Sequence, residues 1–256
     1  MLTKADEKRL LGLRRRAERE RRGQFLAEGV RVMEAAVAAG LELDTVAVTP
    51  ELGESERGAA LLAALAARAT VRTVPEHVLA RIAATDTPQG VVAAVRTPGS
   101  TLDSVRMPDR ATLLVLDAVQ DPGNFGTLAR TADALGAAAL LALDGTVDPW
   151  NPKAVRAAAG SSFHLPIVCA GTGPALEWLE AERFRVLAAD ARGEPVDAVS
   201  PAPRTALVVG NEGAGVGALV RAAADGLVAV PIRGAAESLN VGVAAGILLY
   251  LLTRER

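Results

Sequence analysis

The polar stretch Glu237-Ser238-Leu239-Asn240-Val241, entered through Val230-Pro231-Ile232, decides how the C-terminal half of the chain is interpreted. A nearly all-apolar run follows it, Val243-Ala244-Ala245-Gly246-Ile247-Leu248-Leu249-Tyr250-Leu251-Leu252, and predicts a buried helix. Ser238 can cap this helix, whereas Asn240 on the first turn has no packing role. Free N–H groups at a helix N-terminus are suited to binding a small molecule. The sequence therefore predicts a ligand site where this helix begins.

The composition indicates a globular protein with an uneven distribution of charge. Half of the 256 residues are hydrophobic and the net charge is −2, so the chain is long enough for one large or two ordinary domains. Residues 1–32 hold ten Lys/Arg against five Asp/Glu, about +5, which leaves about −7 for the rest. Such a segment indicates either a nucleic-acid-binding arm or a solvated amphipathic helix.

Rare residue types exclude several classes of protein. Cys169 is the only cysteine, so neither a disulfide framework nor a cysteine-rich metal site is expected. His77 and His164 lie far apart without metal-ligand spacing, and we expect no metal. The charged N-terminus lacks the apolar core of a signal peptide, and Val241–Leu252 is shorter than the ~20 residues that span a bilayer. A cytoplasmic protein without a membrane segment is expected.

The order of strand and helix signals predicts an α/β protein of two domains. Residues 1–98 read as a basic helix opened by Thr3, followed by a compact α/β unit with a helix over 28–39. Residues 99–110 contain Gly, Ser and Pro and form the candidate linker. In residues 111–256, short apolar strands alternate with helices, which indicates a parallel sheet covered on both faces. Ligands of such sheets bind at the carboxyl ends of the strands.

Three loops at predicted strand ends carry polar residues. The first, Asp117 to Arg130, places Asn124 as a helix cap and Arg130 among small helical residues, where a buried arginine needs an anionic partner. The second is Gly210-Asn211-Glu212-Gly213-Ala214-Gly215, whose glycines permit positive φ or close backbone approach. It has neither the phosphate-loop pattern nor the complete dinucleotide fingerprint, which disfavours a nicotinamide-dependent dehydrogenase. The third is the stretch before the apolar helix.

In order and position, these loops resemble the three motifs of the SpoU (TrmH-type) RNA 2′-O-ribose methyltransferases, a branch of the SPOUT superfamily. The stretch from Val147 to Gly160 is also similar to this family, and the match covers about residues 111–256. Residues 1–98, with Phe25-Leu26-Ala27-Glu28-Gly29, resemble the family's substrate-binding domain, which is like ribosomal proteins that hold kinked RNA. Gly242 departs from the pattern, since the family often has Ser there.

The resemblance implies an S-adenosylmethionine-dependent enzyme that methylates a ribose 2′-hydroxyl, in ribosomal RNA by preference over transfer RNA. A non-catalytic RNA-binding or assembly protein with the same fold is the alternative. The resemblance further implies a SPOUT domain with a deep trefoil knot, which is rare among folds, and a homodimer through that domain. The implied reaction-centre residues are Asn124, Arg130, Glu212, Ser238 and Asn240. The implied cofactor-binding residues are Gly210, Asn211, Gly213, Val230, Ile232 and Leu239.

Methyl transfer from a sulfonium to a hydroxyl is an in-line displacement, so the protein must align the partners and assist loss of the hydroxyl proton. The family's proposed base corresponds to Arg130. Because arginine almost never loses its proton, holding an RNA phosphate and orienting the 2′-hydroxyl is an equally compatible role. Glu212 could orient Arg130 or the cofactor amino group. Further phosphate contacts are expected from the basic segment Arg14–Arg22.

Overall fold

A computed structural model describes residues 2–200 and 202–254 of the chain, so the outer ends of the two predicted domains lie outside the described residues. Contacts between residues divide the chain into two compact units. The first runs to Gly99 and also includes Trp150–Phe163, and the second consists of Ser100–Pro149 with the residues from His164 onward. The sequence had assigned Trp150–Phe163 to the domain of residues 111–256, whereas its contacts group it with the first unit.

The described residues form ten strands and ten α-helices. The strands are β1 (Gln24–Glu28), β2 (Leu43–Val48), β3 (Thr70–Thr73), β4 (Val91–Arg96), β5 (Ala111–Asp117), β6 (Ala139–Ala142), β7 (Ile167–Cys169), β8 (Arg185–Pro195), β9 (Arg204–Gly210) and β10 (Gly226–Ala229). The helices are α1 (Lys4–Gly12), α2 (Arg16–Arg22), α3 (Val30–Ala38), α4 (Glu56–Ala66), α5 (Glu76–Ile82), α6 (Pro122–Ala134), α7 (Pro152–Ala158), α8 (Thr172–Ala181), α9 (Ala218–Ala223) and α10 (Val241–Thr253). Short 3₁₀ turns cover Pro50–Glu54, Ser161–Phe163 and Val196–Ala198.

The first unit has a four-stranded sheet in the order β1-β4-β2-β3. Strand β1 was not predicted from the sequence, which placed a helix over residues 28–39. Glu28 instead ends β1, and α3 begins at Val30. Phe25 and Leu26 belong to different core clusters because successive side chains point to opposite faces. A strand buried on both faces shows no alternation of polar and apolar residues, which explains why the pattern missed it.

The segment that contains α7 packs on the first unit through aromatic rings and a close backbone approach. The centroid of the Phe25 ring lies 4.9 Å from that of Trp150 and 5.7 Å from that of Phe163. Gly160 has a φ of +102°, and a Cβ atom there would lie 2.4 Å from the Cβ of Ala35. Glycine is required at this position because both the backbone angle and the available space disfavour a side chain.

A buried carboxylate also fixes this segment. Glu28 at the end of β1 is 2% exposed, and its Oε1 atom accepts a hydrogen bond from Nη1 of Arg156 on α7 at 2.6 Å. Its Oε2 atom accepts from the backbone N–H of Ala84 at 2.6 Å. A carboxylate with so little access to water requires partners of this kind, because an unpaired buried charge is strongly destabilising.

The second unit is built on a six-stranded sheet in the order β10-β8-β9-β5-β6-β7. All five strand pairs are parallel, which confirms the predicted parallel α/β sheet. Asp117 at the end of β5 is paired in register with Gly210 at the end of β9. The first and second polar loops therefore leave neighbouring strands at the same edge. The third loop leaves the carboxyl end of β10 at that edge too, and the predicted trefoil knot stays a prediction.

Helix α10, which the sequence predicts to be buried, is buried on one face only within a single copy of the chain. It packs against α6, β5 and β9. Its buried residues are Gly242, Ala245, Leu248 and Leu249. Val243, Ile247 and Tyr250, spaced four and three residues apart, are 51%, 37% and 58% exposed. Residues at this spacing share one helix face, so α10 presents an apolar stripe to solvent. No helix among the described residues is long and apolar enough to cross a membrane.

We expect Glu28→Ala to lower the free energy of unfolding by about 2–4 kcal/mol, because the Arg156 guanidinium and the Ala84 N–H lose their acceptor. Urea unfolding followed by circular dichroism measures this loss. The matched control is Glu42→Ala, which removes an ion pair with Arg96 whose side chains are 66% and 61% exposed. The control should leave the unfolding midpoint unchanged. Equal losses in the two variants would contradict a structural role for the buried pair.

Candidate active site

A chain of hydrogen bonds connects the three polar loops in the second unit. The Nδ2 atom of Asn124, on the first turn of α6, donates to Oε1 of Glu212 in the β9–α9 loop at 3.0 Å. The Oδ1 atom of Asn124 accepts from Nδ2 of Asn240, just before α10, at 3.1 Å. Asn240 in turn accepts from the backbone N–H groups of Gly242 and Val243 at 2.9 and 3.4 Å. We call Glu212, Asn124 and Asn240 the hydrogen-bond chain.

The direction of this chain is fixed at both of its ends. The N–H groups at the start of α10 can only donate, so Asn240 must present its oxygen to them and its amide nitrogen to Asn124. An ionised Glu212 can only accept, so Asn124 must present its amide nitrogen to the carboxylate. Both requirements orient the Asn124 amide in the same way. Each loop therefore holds the side chain of the next in one orientation.

Two helix caps differ from the sequence prediction. Asn124 was expected to cap α6, but Asp121 is the cap, and its Oδ1 atom accepts from the Asn124 N–H at 2.8 Å. Pro122 at the first helical position is a signal for this, because proline is favoured there and the cap is the residue before it. Asn240, not Ser238, caps α10. The two asparagine side chains are consequently oriented toward each other across the loops.

The carboxylate of Glu212 is held by four N–H groups. Besides Asn124, the backbone N–H groups of Asp121 and Gln120 lie 3.4 and 3.5 Å from its oxygens, and Nδ2 of Asn211 lies at 3.5 Å. Partial burial by itself raises the pKa of Glu212, but the hydrogen bonds from Asn124 and from backbone N–H groups outweigh it, so the pKa lies below its ordinary value. The group is thus a stable anion at neutral pH.

The Gly-rich loop after β9 is closed by its own residues. Oδ1 of Asn211 accepts from the N–H groups of Gly213 and Ala214 at 3.0 Å each, and its Nδ2 donates to the Ala118 carbonyl at 3.0 Å. A Cβ atom on Gly210 would lie 2.2 Å from the Gly215 backbone. Gly210 is therefore required by packing within the loop, and among the three glycines of this loop only Gly215 has a positive φ.

The segment from Val230 to Asn240 has no regular structure, and all its residues after the half-buried Val230 are exposed. Ile232 and Leu239 are 39% and 37% exposed. Among described residues, the backbone of 231–239 makes no backbone–backbone hydrogen bond. Apolar side chains beside unpaired N–H and C=O groups suit an adenosine-containing ligand, which has apolar ring faces and hydrogen-bonding edges. The predicted cofactor residues of this segment thus have the chemistry that S-adenosylmethionine needs.

Two predicted reaction-centre residues lie outside the hydrogen-bond chain. Arg130 on α6 is exposed, and its guanidinium has no hydrogen bond or ion pair with any described residue. It therefore needs no internal anion, and it is free to bind a phosphate from solution. Ser238 is also exposed and makes no hydrogen bond within the described part of the chain.

The buried acid at the end of β5 was not predicted from the sequence. Asp117 is 7% exposed, and its Oδ2 atom accepts from the N–H of Gly217, the residue before α9, at 2.6 Å. The next residue, Ala118, has a φ of +57°, which is unusual outside glycine. The sequence did contain a signal for this residue, because an acid follows a run of apolar strand residues at the end of a predicted parallel strand, where ligands bind. Among the described residues, no group of three or more His, Cys, Asp or Glu is arranged to hold a metal ion.

Two family models match the chain. Residues 111–250, more than half of the chain, match the SpoU rRNA Methylase family. Residues 6–93 match the MRM3-like substrate binding domain. The first match includes all three polar loops and the second lies within the first unit.

Named relatives and solved structures agree with this match. The chain is 43% identical over 178 residues to the 23S rRNA (guanosine(2553)-2′-O)-methyltransferase RlmP of Bacillus subtilis (strain 168), covering 69% of this chain and 70% of that one. It is 33% identical over 256 residues to the 23S rRNA (uridine(2479)-2′-O)-methyltransferase of Streptomyces viridochromogenes, covering 94% and 86%. The crystal structure of the SpoU methyltransferase AviRb from Streptomyces viridochromogenes, in complex with the cofactor AdoMet, has a TM-score of 0.90 at 31% identity and covers 98% of this chain and 97% of that chain.

These likenesses extend over both units and include the loops that the hydrogen-bond chain joins. The predicted fold class, the predicted cofactor and the predicted enzyme class, an S-adenosylmethionine-dependent RNA 2′-O-methyltransferase, are confirmed. The chain belongs to the SpoU rRNA methylase family.

Proposed function

We propose that the protein methylates a ribose 2′-hydroxyl of 23S ribosomal RNA in the cytoplasm. The observation that supports this proposal most strongly is the hydrogen-bond chain, which orients side chains from all three loops, together with the exposed, unpaired Arg130 on the same helix as Asn124. A protein that only bound RNA would not require this arrangement, so it favours the enzyme over a non-catalytic assembly protein. The substrate-binding domain match and the two relatives named for 23S rRNA favour ribosomal RNA over transfer RNA.

The exposed segment from Val230 to Asn240 would hold the cofactor in this proposal. Ile232 and Leu239 would provide apolar contacts, and backbone groups of that segment and of the Gly210–Gly213 loop would provide hydrogen bonds. S-adenosylmethionine, when bound, supplies a methyl group on a sulfonium centre. The Glu212 carboxylate adds a negative charge that would attract this positive ligand. The same charge would repel a cofactor that contains pyrophosphate.

Arg130 holds the RNA rather than taking the hydroxyl proton. Its exposed, unpaired guanidinium matches a phosphate oxygen pair, and binding the phosphate next to the target ribose fixes the 2′-hydroxyl in line with the methyl group. Asn124 and Asn240 are held by the hydrogen-bond chain and position the ribose. Ser238, exposed beside Asn240, contributes a further hydroxyl. The hydroxyl proton would pass to water, which reaches this exposed site, as the ribose oxygen gains the methyl group and sulfur keeps the electron pair of the broken S–C bond.

The exposed stripe of α10 supports a homodimer through the second unit. Val243, Ile247 and Tyr250 form one apolar face on a helix whose other face packs on the sheet. A second copy of the chain would cover this face by the same residues, as symmetric dimers do. The dimer would then bring the two α10 helices, and the reaction centre at the start of each, into one assembly.

Transfer of tritiated methyl groups from S-adenosylmethionine to separate ribosomal and transfer RNA fractions tests the proposed function. We expect label in 23S ribosomal RNA, at one position that resists alkaline cleavage. Arg130→Ala should reduce transfer by at least about 100-fold while the dissociation constant of S-adenosylmethionine changes less than about 3-fold, because Arg130 contacts RNA and not the cofactor.

The matched control is Arg110→Ala, which removes an exposed arginine of the same unit away from the three loops and should retain activity. Label confined to transfer RNA would overturn the substrate assignment. Loss of cofactor binding in Arg130→Ala would overturn the assigned role of that residue.

We expect Tyr250→Asp to convert the dimer to a monomer, because a charge within an apolar interface lacks water and a partner. Sedimentation equilibrium at micromolar concentration measures the mass. Leu219→Asp is the control, since Leu219 on α9 is 61% exposed but lies outside the α10 stripe. A monomeric wild-type protein, or a dimeric Tyr250→Asp variant, would contradict the proposed interface.

A further inference from the structure

A basic groove in the first unit lies between α1 and α5 and is separate from the three loops. Its open volume is about 630 Å³. The lining includes five cations and one acid, together with apolar and glycine positions of α1. The charged lining residues are Lys4, Lys8, Arg14, Arg15, Arg81 and Glu7. Charge of one sign in a concave surface concentrates an oppositely charged ligand.

Four of these cations have no internal partner. Lys4, Lys8, Arg14 and Arg15 are all exposed, and none of their side chains makes a hydrogen bond or ion pair with a described residue. The single acid is already committed, because Glu7 forms an ion pair with Arg81 on α5. That pair joins the two walls of the groove and leaves the four cations as its net charge.

The spacing of the cations disfavours a purely structural explanation. Lys4 and Lys8 are four residues apart on α1, so they lie on the same helix face and repel each other. Arg14 and Arg15 follow in the turn between α1 and α2, next to the end of that face. A cluster of unpaired like charges costs stability, and such a local conflict is expected where a ligand supplies the missing counter-charge.

The neighbouring arginines of α2 have partners within the protein. The expected phosphate contacts of the segment Arg14–Arg22 are therefore limited here to Arg14 and Arg15. Arg16 pairs with Glu20 at 2.7 Å. Arg21 and Arg22 both pair with Glu18, at 2.7 and 3.0 Å. Arg19 is buried and donates to the Leu13 carbonyl at 2.9 Å. Each arginine of α2 therefore has a partner within the protein, whereas the four cations of the groove have none.

We propose that this groove binds the phosphate backbone of the RNA substrate, with Lys4, Lys8, Arg14 and Arg15 as the contacting residues. The inference rests on the proposed function for the identity of the nucleic acid. The residues that match a substrate-binding domain begin at residue 6 and include most of the groove lining. The groove is a docking site that anchors RNA to the first unit and takes no part in methyl transfer itself.

The test compares two variants with the same change in net charge. The groove variant carries Lys4→Gln, Lys8→Gln, Arg14→Gln and Arg15→Gln. The control carries Arg16→Gln, Arg21→Gln, Arg22→Gln and Arg96→Gln, which removes four paired, surface arginines of the same unit. Binding of a fluorescent RNA hairpin is measured by anisotropy between low and moderate salt. Circular dichroism confirms that each variant is folded, as is expected when exposed, unpaired side chains are replaced.

We expect the groove variant to bind the hairpin roughly 10- to 100-fold more weakly and to lose about 3 from the slope of log affinity against log salt, since each phosphate contact contributes ~0.7–0.9. The control should change affinity less than about 3-fold. Equal losses in the two variants, or none in the groove variant, would overturn the proposal. Glu7→Gln gives an independent check, because freeing Arg81 should strengthen binding, and weaker binding would count against the groove.

Methyl transfer to 23S ribosomal RNA separates this inference from the proposed function. We expect the groove variant to raise KM for RNA about as much as it weakens binding and to keep kcat, because the groove residues are not part of the reaction centre. If the wild-type protein transfers no methyl group to any RNA, the proposed function fails, while the hairpin affinities still decide the groove. A fall in kcat at unchanged KM would contradict a docking role.

Discussion

The geometry of the active site depends on the hydrogen-bond chain from the Glu212 carboxylate through Asn124 and Asn240 to the first N–H groups of α10. Its members come from three loops that are far apart in sequence. Because the chain ends at a pure acceptor on one side and pure donors on the other, each amide has a single orientation. The surroundings thus hold the polar groups in place before any ligand arrives, which is the condition for efficient orientation of reactants.

The parallel sheet brings the members of the hydrogen-bond chain together. In-register pairing of β5 with β9 places Asp117 beside Gly210, so the loops with Asn124 and Glu212 start at neighbouring positions. Packing of α10 on α6 brings Asn240 to the same place. The first unit carries the positively charged groove, which we propose as a docking surface for RNA with a physical task different from that of the candidate reaction centre.

The three loops, the parallel sheet and the family were predictable from the sequence, because turn residues, apolar strands and their order are local signals. The contacts that give the loops their chemistry were not. Ser238 and Asn240 both suit a helix cap, and only the fold decides that Asn240 faces the N–H groups. Burial on both faces concealed β1, and the ring of Phe25 decides where Trp150 packs. The net charge of the N-terminal segment does not reveal which cations are paired, so it could not distinguish the paired arginines of α2 from the unpaired cations of the groove.

Reversing the direction of the hydrogen-bond chain is the sharpest test of whether Glu212, Asn124 and Asn240 hold one another in place. Asn240→Asp alone leaves one mismatched pair, because the Asn124 amide would face a carboxylate with its oxygen at one end or the other. Glu212→Gln alone keeps an oxygen that can accept from Asn124 but loses the negative charge that strengthens its hydrogen bonds. The double variant can turn the Asn124 amide around and restore both bonds, with the Asp oxygens still capping α10. The measurement is the thermal unfolding midpoint of all four proteins, with and without S-adenosylmethionine. The account predicts that each single variant is destabilised and that the double variant recovers at least about half of the summed loss. A double variant whose unfolding midpoint falls by the full sum of the two single losses would show that the three side chains do not orient one another.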